Sequence, residues 1–95
     1  MNSLIQTSSV TSGTVTALDT QQDCILIHDA GVTAALTITF PSTPCAGQIF
    51  SITSSGGITT LTLTAAHTII AALTTLAVGG GGSWAFNGTK WYKIT

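Results

Sequence analysis

Catalysis by side chains needs titratable groups that meet in space, and this sequence offers few. They are His28, His67, Cys24, Cys45 and the carboxylates Asp19, Asp23 and Asp29, with no Glu and no Arg. His28 and Asp29 are adjacent, and on a strand adjacent side chains point to opposite faces, so the two cannot form an acid–base pair. His67 stands alone in an apolar stretch, the usual setting of a core or interface histidine. Ser and Thr are abundant, but none sits in G-x-S-x-G, and no nucleophile can be matched to a base. The expectation is a protein that is not an enzyme, with no catalytic residue.

Metal and cofactor chemistry fares little better. Asp19, Asp23 and Asp29 flank one short segment, and a three-fold axis could gather three copies of one Asp or His. Short carboxylates beside turns, however, ordinarily accept backbone hydrogen bonds and keep a loop wet. Gly79–Gly82 is not a phosphate loop, because no Lys-Ser/Thr follows it and no helix begins there. It reads as a flexible connector that lets the chain cross to a new strand, or as a close-packing point against a neighbouring subunit. No metal ligand and no cofactor is expected. Cys24 and Cys45 could be bonded if their strands are neighbours, but two cysteines in a cytoplasmic product are read as reduced thiols.

The charge count bounds the partners. Asp19, Asp23, Asp29, Lys90 and Lys93 are the only charged side chains, 5% of the 95 residues, and none falls between Ala30 and Thr89. An ordinary soluble domain carries about 25%. Two lysines cannot make a footprint for nucleic acid. No apolar run approaches about 18 residues, so no transmembrane helix is expected, and Met1-Asn2-Ser3-Leu4 lacks the basic start of a secretory signal. The protein is read as made in the cytoplasm. Its surface must be covered by hydroxyls or hidden against other subunits, and a net charge of −1 does little to keep copies apart.

The elements that would position these groups are strands. Leu36, Ile38 and Phe40 alternate with Thr37 and Thr39, Phe50 and Ile52 with Ser51 and Thr53, and Leu61 and Leu63 with Thr60, Thr62 and Thr64. The spacing predicts strands over Thr14–Leu18, Cys24–His28 (buried on both faces), Ala34–Phe40, Gln48–Thr53 and Ile58–Thr64. The Asp19–Asp23 cluster, Ala30-Gly31, Pro41 to Gly47 and Ser54–Gly57 are the turns between them. In the Ala65–Val78 region, Thr68, Thr74, Thr75 and paired isoleucines argue against a helix. Asn87-Gly88 predicts a two-residue hairpin loop with Phe86 facing Thr89 and Trp84 facing Trp91, which puts Trp84, Phe86 and Trp91 on one face. The same Asn87-Gly88-Thr89 matches a glycosylation sequon, read here only as a turn.

The fold class expected is therefore all-β, a single small antiparallel β-sandwich or jelly-roll-like barrel of about seven to eight strands. Residues 1–12 read either as a polar N-terminal arm that orders on a neighbouring subunit or partner surface by adding an edge strand to it, or as a frayed terminus. Residues 13–95 form the β-sandwich domain, ending in a hairpin at 83–94.

Leu36-Thr37-Ile38-Thr39-Phe40-Pro41, Pro44, Gly47-Gln48-Ile49-Phe50-Ser51-Ile52, Leu61-Thr62-Leu63 and the closing Trp84 and Trp91 resemble β-rich modules of bacteriophage virion proteins. These modules occur at the ends of tail and head fibres and in small capsid decoration (cement) proteins. The resemblance implies a scaffold without a site to carry over, and commonly a homotrimer. Read as a free-standing chain from Met1 to Thr95, it fits a decoration protein on the outer capsid surface. There it would clamp copies of the major capsid protein at inter-capsomer positions and locate to the virion. The alternatives are a head or tail fibre or spike component that contacts the host, and a carbohydrate-binding β module in which Trp84, Trp91 and Tyr92 stack on sugar.

Overall fold

Alternation of aliphatic and hydroxyl residues makes a strand because each second side chain leaves water while Thr and Ser keep the opposite face wet. The protein, described by a computed structural model over residues 4–17 and 22–95, is built on that rule. Among the described residues it has no helix and nine strands. They are β1 (Leu4–Ser8), β2 (Thr14–Thr16), β3 (Cys24–His28), β4 (Thr33–Thr39), β5 (Ile49–Ser54), β6 (Ile58–Thr64), β7 (Thr68–Ile70), β8 (Gly81–Phe86) and β9 (Lys90–Lys93). The expected strands over Cys24–His28 and Ile58–Thr64 coincide with β3 and β6. Leu18, Asp19 and the rest of that turn to Gln21 lie outside the described residues, as do Met1–Ser3.

The first six strands alternate between a larger sheet, ordered β1-β3-β5-β8-β9-β7, and a smaller one, ordered β2-β4-β6. Each pair of strands makes one coil, and each coil lies parallel on the one before it. Leu4 lies against Cys24 and Cys24 against Phe50, so successive coils take 20 and 26 residues. The architecture is a three-coil β-solenoid, not the expected antiparallel sandwich or jelly roll. Alternation fixes which side chains point inward but carries no strand direction. The connections decide it here: Asp29–Val32 and Pro41–Gln48 are corners leading into the opposite sheet, and the strand reached there serves as the crossover that parallel pairing requires. Leu4–Ser8, within the span expected to be an arm, is an edge strand of the protein's own larger sheet.

The core lies between the sheets. Val15, Leu36, Ile38, Leu61 and Phe40 face Cys24, Leu26, Phe50, Ile52, Trp84 and Trp91. Ile25 and Ile27 are half-buried on the outer side of β3, so this strand is buried fully on one face only. Corners stack as well as strands. The Ser55 N–H donates to the His28 carbonyl, and a Cβ on Gly56 would collide with the Ala30 carbonyl oxygen.

The third coil is closed by the C-terminal third of the chain. β8 runs antiparallel to β5, β9 antiparallel to β8, and β7 parallel to β9. Over the smaller sheet, Leu76 bridges to Ile58 and the Leu61 N–H donates to the Thr74 carbonyl, which covers the outer edge of β6. Gly81 and Gly82, expected to be part of a free connector, belong to β8. A Cβ on Gly81 would run into the Ile52 carbonyl oxygen, so glycine is what lets β8 pair with β5 at that point.

The terminal hairpin forms with a shifted register. Phe86 pairs with Trp91 and Trp84 with Lys93, and Asn87 donates to the Lys90 carbonyl, leaving Gly88-Thr89 as the loop. Asn87 Oδ1 accepts from the backbone N–H groups of Thr89 (3.0 Å) and Lys90 (2.9 Å), so Asn87 acts as the residue before the turn. Only Gly88 then needs a positive φ, at 105°. The shift moves the pairing by two, which preserves the face, and Trp84, Phe86 and Trp91 are all buried on it.

Trp91 is 0% exposed and meets Phe40, Phe50 and Phe86 at centroid distances of 5.2, 6.3 and 5.2 Å. Trp91→Ala is expected to lower the unfolding free energy by about 3–5 kcal/mol in a urea titration, and the native protein should show the blue-shifted emission of buried indole. Ala71, just after β7, has φ of 59°, in the left-handed region. Ala71→Gly should therefore raise stability by up to about 1 kcal/mol, read as a higher melting temperature.

Candidate functional site

The described ionisable side chains are spread over the solenoid. Asp23 Oδ1 accepts from the Ile49 N–H at 2.9 Å, tying the entry of β3 to the entry of β5. Asp29 Oδ1 accepts from the Ser55 hydroxyl at 3.1 Å, joining the second-coil corner to the third. These are the turn roles expected for them, and Asp19 lies outside the described residues. His67 is half-buried with its ring 4.8 Å from that of Phe86. Lys90 and Lys93 sit on β9 at the far end of the sheet. Among the described residues, no three of the His, Cys, Asp and Glu side chains come together.

His28 is buried in the core, 1% exposed at the end of β3. Its Nε2 lies 2.8 Å from Thr33 Oγ1, and that hydroxyl donates to the Gly31 carbonyl. A hydroxyl has one proton, so with that proton donated to the Gly31 carbonyl it is Nε2 that donates to Thr33. Nδ1 has no hydrogen-bond partner. The side chain thus pins the corner between β3 and β4, while the adjacent Asp29 is exposed and bonds Ser55.

Both cysteines are free thiols. Cys24 is buried between Leu4 and Phe50 in the stack, and desolvation pushes its thiol pKa up. Cys45 is exposed in the Pro41–Gln48 corner. Trp84 and Trp91 are fully buried, so of the three rings offered as a sugar platform only Tyr92, 40% exposed, reaches the surface. No described helix is long and apolar enough to cross a membrane.

What remains are surfaces. The outer face of the smaller sheet carries Thr14 and Thr16, Thr37 and Thr39, and Thr62 and Thr64 in register, two columns of three. The Thr39 and Thr64 hydroxyls bond each other at 2.9 Å. Three T-x-T triplets spaced by 23 and 25 residues were the sequence trace of this stacking, and a search for period two alone passes over them. A shallow cleft of about 290 Å³ lies beside β6, lined by Val32, Gly57, Ile58, Thr59, Leu76 and Val78, with no ionisable group. The third surface is the first-coil end. There the Gln6 side chain crosses between the sheets and donates to the Thr16 carbonyl at 3.0 Å.

The chain matches no protein-family model, and comparison with curated proteins and with solved structures gives no significant match.

Thiol accessibility checks this layout. Alkylation of the native protein without reductant should add one group, at Cys45, and denaturation should allow a second, at Cys24, both read by intact mass. Two rapid additions to the native state would mean that the second coil is not packed as described.

Proposed function

We propose that this chain is a non-enzymatic structural protein of a virus particle. In this reading it is a decoration protein that binds the outer capsid surface between capsomers and stabilises the shell. The observation that carries the proposal is the pairing of a neutral, hydroxyl-faced solenoid with ionisable groups tied into corners and core. The resemblance of Leu36–Ile52 and the terminal tryptophans to phage virion modules supports it. A surface of this kind recognises other proteins by apolar contact, backbone pairing and hydroxyl hydrogen bonds, and salt has little to act on.

A second reading is a head or tail fibre component, favoured by one specific observation. Coils stacked in parallel, closed at the third and, among the described residues, open at the first, suit an end piece for an elongated body. The reading concerns the role. For the number of copies, the sequence points to a homotrimer, whereas the free edge of the first coil has a two-fold pattern, argued below.

Particles carrying the protein should keep it through a wash in about 1 M salt, because the screening length there is only about 3 Å and removes electrostatic attachment. Copies counted by quantitative mass spectrometry and placed by electron microscopy separate the two roles: hundreds across the shell for decoration, a few dozen or fewer at a vertex or tail for a fibre. Release by salt would overturn the attachment mechanism, and absence of the protein from purified particles would overturn the reading itself.

A further inference from the structure

The solenoid has two ends, and they differ. β7, β8, β9 and the Thr74–Leu76 segment cover the third coil, but no described residue pairs with the outer edge of β1. In a parallel pair, alternate residues bond the neighbour through both N–H and C=O, and those between point away. The Leu4 N–H donates to the Asp23 carbonyl, and the Asp29 N–H to the Ser8 carbonyl. Leu4, Gln6 and Ser8 therefore serve β3, and the N–H and C=O of Ile5 and Thr7 face the free edge. These four groups lie symmetrically about Gln6.

We propose that β1 is a self-association strand that pairs antiparallel with β1 of a second copy about a two-fold axis at Gln6. Ile5 then lies opposite Thr7 of the other copy, and Thr7 opposite its Ile5. In an antiparallel ladder, two such residues exchange both of their backbone bonds, so this register satisfies all four free groups on each chain. A register shifted by one residue satisfies none of them.

Three further observations favour a second copy as the occupant. The outer side of the larger sheet is apolar beside this edge and polar away from it. Ile5 is 61% exposed, with Ile25 beside it in the same row, while the row continues as Ser51 and Ser83. The neighbouring row runs Thr7, Ile27, Thr53 and Gly81. Antiparallel pairing sets Ile5 of one chain beside Thr7 and Ile27 of the other, covering an aliphatic patch that otherwise faces water. No charged residue lies between Leu4 and Ala17, so nothing there repels an identical strand, and the lysine or proline that commonly blunts an exposed edge is missing. Finally, the Gln6 side chain is engaged with the smaller sheet, donating to the Thr16 carbonyl. The inference concerns self-association of this chain and stands whether or not the virion reading does.

The test is static light scattering of the purified 95-residue chain over a dilution series, together with amide hydrogen exchange. The expected mass approaches twice the 9.6 kDa chain at submillimolar concentration and falls on dilution. Thr7→Pro should hold the mass at one chain with an unchanged far-UV spectrum. It deletes an N–H that points only to the free edge, where proline is tolerated. Should that variant fail to fold, exchange in the unmodified protein still decides the matter. The Ile5 and Thr7 amides should be protected when concentrated and lose protection on dilution, while that of Gln6, bonded to β3, stays protected throughout. A monomer at submillimolar concentration, a trimer, or an oligomer whose Ile5 and Thr7 amides exchange freely would each overturn the proposal.

Discussion

The contact of Phe40 with three other rings is the constraint on which the rest of the molecule leans. Phe40 follows the last residue of β4, in the smaller sheet, and sits 4.6, 5.3 and 5.2 Å from Phe50, Trp84 and Trp91 of the larger one. It therefore joins the two sheets, and it joins the coils to the C-terminal cap. Phe40 is held in turn by its N–H, which donates to the Thr64 carbonyl at the end of β6. Aromatic rings of this size bury a large area each, which matters in a chain too short for a deep core. Without the cluster, β8 and β9 would be held on the third coil mainly by backbone pairing to β5.

Composition and the placement of charge bear on how such a body interacts. Asp23 and Asp29 bind backbone and hydroxyl groups at corners, and the core histidine His28 holds a threonine. With five charged side chains in 95 residues, the protein has little with which to generate a long-range field. The two faces differ. The smaller sheet is lined with threonine throughout, while the larger one changes from aliphatic to serine across its width.

How much of this could be read from the residues follows from what each signal encodes. The strand class, the positions of β3 and β6 and the shared face of Trp84, Phe86 and Trp91 follow from a period of two and from a strong turn dipeptide. Strand direction does not, because a parallel and an antiparallel strand have the same alternation. The corners at Asp29–Val32 and Pro41–Gln48 look in sequence like hairpin loops, and only the tertiary path shows that they change sheets. The hairpin register was missed because Asn87-Gly88 was read as the central pair, whereas the Asn87 carboxamide oxygen holds the residues after it and moves the loop to Gly88-Thr89. The first-coil edge was illegible for a related reason. Leu4–Ser8 has one aliphatic residue on each face and no flanking breaker, too weak a pattern to read as a strand until β3 is beside it.

The columns of the solenoid are unequal inside and alike on the outer face of the smaller sheet. On the outer face of the smaller sheet every coil shows the same pair of threonines, so that face could not tell one coil from the next. The inward column of the larger sheet runs Leu4, Cys24, Phe50, Trp84, and the next runs Gln6, Leu26, Ile52, Gly82. A chain that slipped by one whole coil would keep its threonine ladders but would set Phe50 where a thiol fits and leave a void where an indole belongs. The interior thus works as an address for each coil, giving a stack with an interchangeable threonine face a single order of assembly.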